Sequence, residues 1–196
     1  MKTKQQSQSP NDELVKYLLK IPNFFDDKFC KQTVSQLKNT EFQQHTFYNA
    51  KTEQAKPRSE KELYVSWNNI DNKKPMMDKL HSGIASYIEH FNFPWFSQWS
   101  GYTNIRFNRY CKGQEMYAHC DHIHSMFDGE RKGIPVLSLL GALNDDYKGG
   151  EFIMFDDYQI KLNTGDLILW PSNFLYKHQV KPVTKGERYT YVSWVW

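Results

Sequence analysis

The chain has 196 residues, 16% of them aromatic, and a formal net charge of +3. That is long enough for one domain with a good-sized core and too aromatic for a disordered chain. No basic stripe or tract is visible: Lys73-Lys74 reads as the solvated start of a helix, so the composition gives no strong nucleic-acid signal. Cys30, Cys111 and Cys120 are odd in number and lack paired spacing, which points to a reducing compartment without disulfides. With no apolar leader and no membrane-length apolar run, the expectation is a soluble cytoplasmic protein.

In chain order, Met1–Pro10 is polar and reads as a disordered tail, with a single domain over 11–196. Glu13–Lys20 is a short helical or strand-like lead that Pro22 interrupts. Asp26 or Asp27 caps a helix with Cys30, Val34 and Leu37 on one face. Glu41–Glu60 reads as loop, with short strands as the alternative, and Leu63–Val65 as a strand. Asp71 caps a second helix with Pro75 in its first turn. Its apolar stripe of Met77, Leu80, Ile84, Tyr87, Ile88 and Phe91 packs against a sheet.

From Gly101 the pattern changes to short alternating segments separated by Gly, Pro, Asn and Asp. They predict strands over 104–111, 116–122, 136–144, 151–155, 159–162, 166–170, 178–182 and 189–196. Helical support over 11–100 followed by many short strands over 101–196 predicts a mainly β sandwich or barrel buttressed by N-terminal helices.

The chemistry gathers in that second half. His119 and Asp121 are two apart, so on a strand both point to one face. A later histidine, His178, completes two histidines and a carboxylate, a set that holds non-heme Fe(II) with open coordination positions. A zinc hydrolase uses similar ligands but leaves the strand pattern and Arg188 unexplained. Cys120, between the ligands, points away from the metal, and His122 and His124 belong to the following loop. Arg188 opens the last strand and shares a face with Thr190, Val192 and Trp194. Facing inward, it is a buried cation that needs an anion. Tyr110 and Tyr117 are candidate hydroxyl donors to that anion, Tyr117 because it has the parity of His119 and Asp121. Trp194 is a candidate pocket wall near the metal.

The pieces Arg109-Tyr110, His119-x-Asp121, Leu143-Asn144-Asp145, Gly149-Gly150-Glu151-Phe152, Gly165-Asp166-Leu167, His178-x-Val180-x-Pro182-Val183, Gly186-x-Arg188-Tyr189 and Trp194 occur in this order. Together they resemble the iron- and 2-oxoglutarate-dependent dioxygenases, specifically the prolyl 4-hydroxylase-like family. The resemblance implies a double-stranded β-helix of the jelly-roll or cupin kind. It implies His119, Asp121 and His178 as iron ligands and catalytic residues, with Arg188 on the distal carboxylate of 2-oxoglutarate. Fe(II), 2-oxoglutarate and O2 are the implied cofactor and cosubstrates, with ascorbate as an additional one. One departure stands out. Oxygen-sensing members have a tyrosine that helps hold 2-oxoglutarate where this chain reads Leu140-Gly141-Ala142, so another group, Tyr110 among the candidates, has to supply that contact.

The implied reaction is hydroxylation of a C–H bond, with succinate and CO2 as co-products. A prolyl residue of a peptide or protein is the leading substrate, and a free amino acid or small metabolite is the alternative. The loop Ile123–Gly133 and the polar stretch Tyr48–Arg58 are the candidate covers for a peptide. A nucleic-acid demethylase ranks third, because no further arginine follows Arg188. A non-catalytic metal-binding β-barrel is the reading from a different class.

Overall fold

The computed structural model describes residues 10–49, 54–57, 59–93, 101–121 and 135–196. The expected tail, apart from Pro10, and the loop Ile123–Gly133 lie outside them, as do His122 and His124. So does part of the stretch Tyr48–Arg58.

Three helices and fifteen strands are found among the described residues. The lead divides into a helix, α1 (Pro10–Val15), and a strand, β1 (Leu19–Ile21). Helix α2 (Asp27–Leu37) starts at Asp26, whose carboxylate accepts the Phe29 N–H at 2.7 Å. The polar stretch after it holds short strands, β2 (Gln43–Gln44), β3 (Phe47–Asn49) and β4 (Gln54–Lys56), and leads to β5 (Tyr64–Ser66).

Helix α3 (Lys73–Phe91) has Pro75 in its first turn, but Asn72 rather than Asp71 occupies the N-cap position. Asn72 makes no side-chain cap; its amide donates instead to the Thr33 hydroxyl at 2.8 Å and so ties α3 to α2. Lys73 is not solvated. It is buried, and its ammonium donates to the carbonyls of Trp67 and Asn68. The long stem lies inside while the charge reaches backbone oxygen, and burial lowers its pKa.

The expected strands of the second half are present, several of them shorter than the sequence pattern suggests. They are β6 (Arg106–Tyr110), β7 (Met116–His119), β8 (Leu137–Ala142), β9 (Lys148–Gly149), β10 (Phe152–Met154), β11 (Tyr158–Ile160), β12 (Leu167–Pro171), β13 (His178–Val180), β14 (Val183–Lys185) and β15 (Arg188–Val195). Two antiparallel sheets carry the fold. The major sheet runs β1-β12-β8-β15-β6-β5-β2 and the minor sheet β11-β10-β13-β7. Strands β1, β2 and β5 therefore extend the major sheet from the N-terminal part, which supplies sheet as well as helical support.

Alternation along β15 separates two cores. Val192 and Trp194 face the minor sheet, in one cluster with Met116, Phe152, Met154 and Val180. Tyr189, Tyr191 and Val195 face the helices, with Cys30, Leu37, Leu80 and Ile84. The molecule is thus layered as helices, major sheet and minor sheet, the double-stranded β-helix implied by the sequence. Asp166 pins β1 beside β12, accepting the backbone N–H of Asn23 and Asn163 and pairing with Lys20 at 2.8 Å.

Candidate metal centre

The minor sheet brings two of the candidate ligands opposite each other. His178 on β13 pairs directly with His119 on β7, and their ring centroids lie 4.4 Å apart. Asp121 follows β7 and places its Oδ1 3.6 Å from the Nε2 of each histidine. One ligand atom from each of the three lies within 4.8 Å of the others, so the trio can hold a single metal ion. The Cys120 thiol turns instead towards the Phe174 carbonyl, 3.4 Å away.

The surroundings prepare these ligands. The Nδ1 of His119 lies 2.7 Å from the Tyr117 carbonyl, and that of His178 lies 2.9 Å from the Tyr176 carbonyl. A carbonyl only accepts, so each Nδ1 carries a proton, and Nε2 is the ring nitrogen left to face a metal. Burial, and then the neighbouring His178, hold the His119 imidazole down to about 3, which favours the neutral ligand form. Burial alone would raise the Asp121 carboxyl. The two histidines, the Ser138 hydroxyl and the Trp194 side chain outweigh it and hold the group below the ordinary carboxylate range. Ser138 donates to Asp121 Oδ2 at 2.5 Å and accepts in turn from Ser172 at 2.6 Å.

Asp121 is therefore steered from behind by two serines that the sequence reading did not single out. Their signal was faint: Ser138 is a polar residue inside an apolar strand segment, and Ser172 comes directly after another. Trp170 meets the His178 ring edge-on at 5.1 Å. Trp194, Trp170, Phe152 and Val180 line the metal cavity.

Arg188 is buried at 1% exposure on the inner face of β15. Its Nε donates to the Tyr147 hydroxyl at 3.2 Å, and its guanidinium lies over the Tyr110 ring at 5.0 Å. Its Nη1 and the hydroxyl of Thr190, two residues on along the same face, are both buried without a hydrogen-bond partner among the described residues. Unsatisfied donors of this kind are costly, and a bound carboxylate would satisfy both. Gly150 leaves room for this arginine: a Cβ there would come within 3.0 Å of Arg188 Cδ.

Tyr110 thus lies at the arginine, whereas Tyr117 is not brought to the site. Its side chain is exposed, and Met116 lines the cavity in its place. The cause is a register shift. His119 pairs with His178 but Met116 with Val180, so β7 holds one more residue than β13 between those pairs. Such a bulge breaks the two-residue alternation on which the parity of Tyr117 rests.

Gly141 also has a structural reason. A Cβ on it would lie 2.0 Å from Tyr191 Cζ, on the helix-facing side. The inward neighbours of the absent tyrosine are Leu140 and Ala142.

A second arginine, Arg106 on β6, lines the metal cavity itself, whereas Arg188 lines a neighbouring pocket. Its Nε donates to Asn108 at 3.1 Å and its guanidinium stacks over Trp194 at 5.0 Å. Burial pulls its pKa down, while Tyr110 and Asp121 push it back up. It shares strand parity with Tyr110, which is the signal that could have marked it.

Comparison with known proteins agrees with this arrangement. Residues 105–196 match the model of the 2OG-Fe(II) oxygenase superfamily. A PKHD-type hydroxylase of Stenotrophomonas maltophilia is 42% identical over 100 residues, which cover 48% of this chain and 43% of the relative. One from Shewanella oneidensis is 43% identical over 94 residues, covering 45% and 41%. This chain spans less than half the length of the curated relatives it matches. Among solved structures, a prolyl hydroxylase of Trichoplax adhaerens in complex with a hypoxia inducible factor peptide fragment superposes with a TM-score of 0.68 at 19% identity, over 95% of this chain and 86% of that one. A Pseudomonas putida prolyl-4-hydroxylase gives 0.65 at 17% identity, over 94% and 95%. At such identities these two show a shared fold. Residues 105–196, the stretch that carries the histidine–aspartate trio and Arg188, are thus similar to the 2OG-Fe(II) oxygenase superfamily and, among curated proteins, to PKHD-type hydroxylases.

Proposed function

We propose that this protein is an Fe(II)- and 2-oxoglutarate-dependent hydroxylase, with a prolyl residue of a peptide or protein as its leading substrate. The observation that carries the reading is a histidine pair with both Nδ1 atoms turned to carbonyls, a carboxylate between their Nε2 atoms, and a buried arginine with an unsatisfied Nη1. Bound Fe(II) would supply the chemistry by which O2 is shared between a substrate C–H bond, which becomes C–OH, and 2-oxoglutarate, which becomes succinate and CO2. His119, Asp121 and His178 hold the ion. The carbonyls of Tyr117 and Tyr176 keep the Nδ1 protons away from it. Arg188 and Thr190 grip the far carboxylate of 2-oxoglutarate, with Tyr110 and Tyr147 set about the guanidinium. This group replaces the tyrosine contact missing at Leu140–Ala142. Phe152, Trp170 and Trp194 keep water from the metal side of the cavity.

The prolyl reading is supported by the prolyl hydroxylases that share the fold, one of them in complex with a peptide fragment. A small substrate bearing a carboxylate is the second reading, and Arg106 favours it. The test is oxidation of 2-oxoglutarate to succinate under air with Fe(II), run with a library of proline-containing peptides and free amino acids. Wild-type protein is expected to form succinate and to add one oxygen to a substrate, and His178→Ala is expected to lose both Fe(II) and turnover. Failure of the wild type to bind 2-oxoglutarate or to form succinate with any substrate would overturn the reading.

A further inference from the structure

We propose that Arg106 binds a carboxylate of the substrate, so that the molecule or segment oxidised here carries an acid group close to the reacting C–H bond. This rests on the hydroxylase reading and narrows its substrate class. Arg106 lines the cavity of the metal ligands, whereas Arg188 lines a neighbouring pocket with Tyr147, Gly150 and Phe152. Arg188 pairs with Tyr110 across β15 and β6, whereas Arg106 pairs with Val192. Those rungs are four residues apart, roughly 13 Å of strand. Arg188 is sealed at 1% exposure, while Arg106 is partly exposed. Arg106 is the cation that shares a cavity with His119, Asp121 and His178, so it is the one placed to meet a substrate at the metal ligands.

Arg106 is also set up to receive an anion. Its guanidinium carbon lies over the Trp194 ring, 5.0 Å from the centroid, and Asn108 fixes its Nε. The two terminal nitrogens make no hydrogen bond, and the side chain forms no ion pair, among the described residues. A stacked guanidinium with its outer fork free suits the two oxygens of a carboxylate. The walls around it, Trp194, Val192 and Leu140, are apolar, and among the described residues the metal ligand Asp121 is the only group of opposite charge that lines the cavity. A neutral prolyl amide would leave this cation without a partner in the cavity. The acid can come from the α-carboxylate of a free amino acid or from an acidic side chain next to the oxidised residue of a peptide.

Calorimetry on the anaerobic protein loaded with Fe(II) and 2-oxoglutarate distinguishes these sources. One arm compares L-proline with L-prolinamide. The other compares capped tetrapeptides carrying aspartate or asparagine beside proline. Wild type is expected to prefer the acid by about tenfold or more in one arm, and that arm identifies the source. Arg106→Gln is expected to bring acid and amide to parity, and Arg106→Lys to keep part of the preference. Circular dichroism checks that both variants fold.

Three outcomes overturn the assignment: no acid preference or no binding by wild type in either arm, a preference that survives in Arg106→Gln, or a loss confined to 2-oxoglutarate affinity. Failure of wild type to take up 2-oxoglutarate at the loading step is a separate result, and it removes the hydroxylase reading itself.

Discussion

At the scale of single residues, the site is governed by which atoms have partners and which do not. Arg188 keeps a buried Nη1 free beside the unsatisfied Thr190 hydroxyl. Arg188→Ala should therefore raise the 2-oxoglutarate requirement about 10–100-fold, the worth of a charge-assisted hydrogen bond in a dry site. Titration of 2-oxoglutarate against succinate formation measures it, and an unchanged requirement would place the cosubstrate elsewhere.

His119 gives a pH dependence. Its folded imidazole is held down to about 3 against an ordinary value of 6.5, so the unfolded chain binds the proton more readily than the folded one between those values. The contribution of this group to the stability of metal-free protein is complete above about pH 6.5 and is lost as the pH falls towards 3. Urea midpoints at pH 7 and pH 5 should show the fall, and His119→Gln should reduce it.

The trio and Arg188 were legible in the sequence because strand parity and a buried-charge argument need only the local pattern. Ser138, Ser172 and Tyr147 were not, because their importance comes from strands far apart in the chain that meet only in the fold.

Among the elements, β8 and β15 are pressed together more closely than their sequences suggest. Gly141 pairs with Tyr191 in register, and the tyrosine ring covers the position a Cβ would take. Gly141→Ala should cost about 3 kcal/mol or more, because the clash is with a fully buried ring between packed layers. Thermal melting detects it, and a melting temperature equal to wild type would show that Tyr191 can move aside.

The sequence pattern located the strands of the second half, since alternation with Gly and Asn breaks is a local signal. It missed that β1, β2 and β5 complete the major sheet. Strands of two or three residues carry almost no periodicity, and their pairing partners lie far along the chain. Lys73 eluded it for a related reason, since the carbonyls that receive its ammonium belong to the turn before the helix.

For the whole molecule, the candidate binding residues are divided between the two sheets. The trio comes from the minor sheet and the turn after β7, and Arg188 from the major sheet. Ligands that join them should stabilise the entire fold. With Fe(II) and 2-oxoglutarate at a hundred times Kd, the gain per ligand is about 2.7 kcal/mol, or roughly 5–10 °C for a chain of this size. Differential scanning fluorimetry under nitrogen measures it, and His178→Ala should abolish the metal's share.

The extra residue in β7 has a consequence for how this strand tolerates change. The carbonyl that fixes the His119 ring belongs to Tyr117, inside the bulge itself. Deleting Ala118 would leave Met116 and His119 on the inner face with ordinary alternation and a continuous ladder. The strand would look better formed, but the residue that dictates the imidazole tautomer would have moved. Regularity in β7 is therefore opposed to ligand geometry, and the irregular pairing is the form in which this strand can serve a metal.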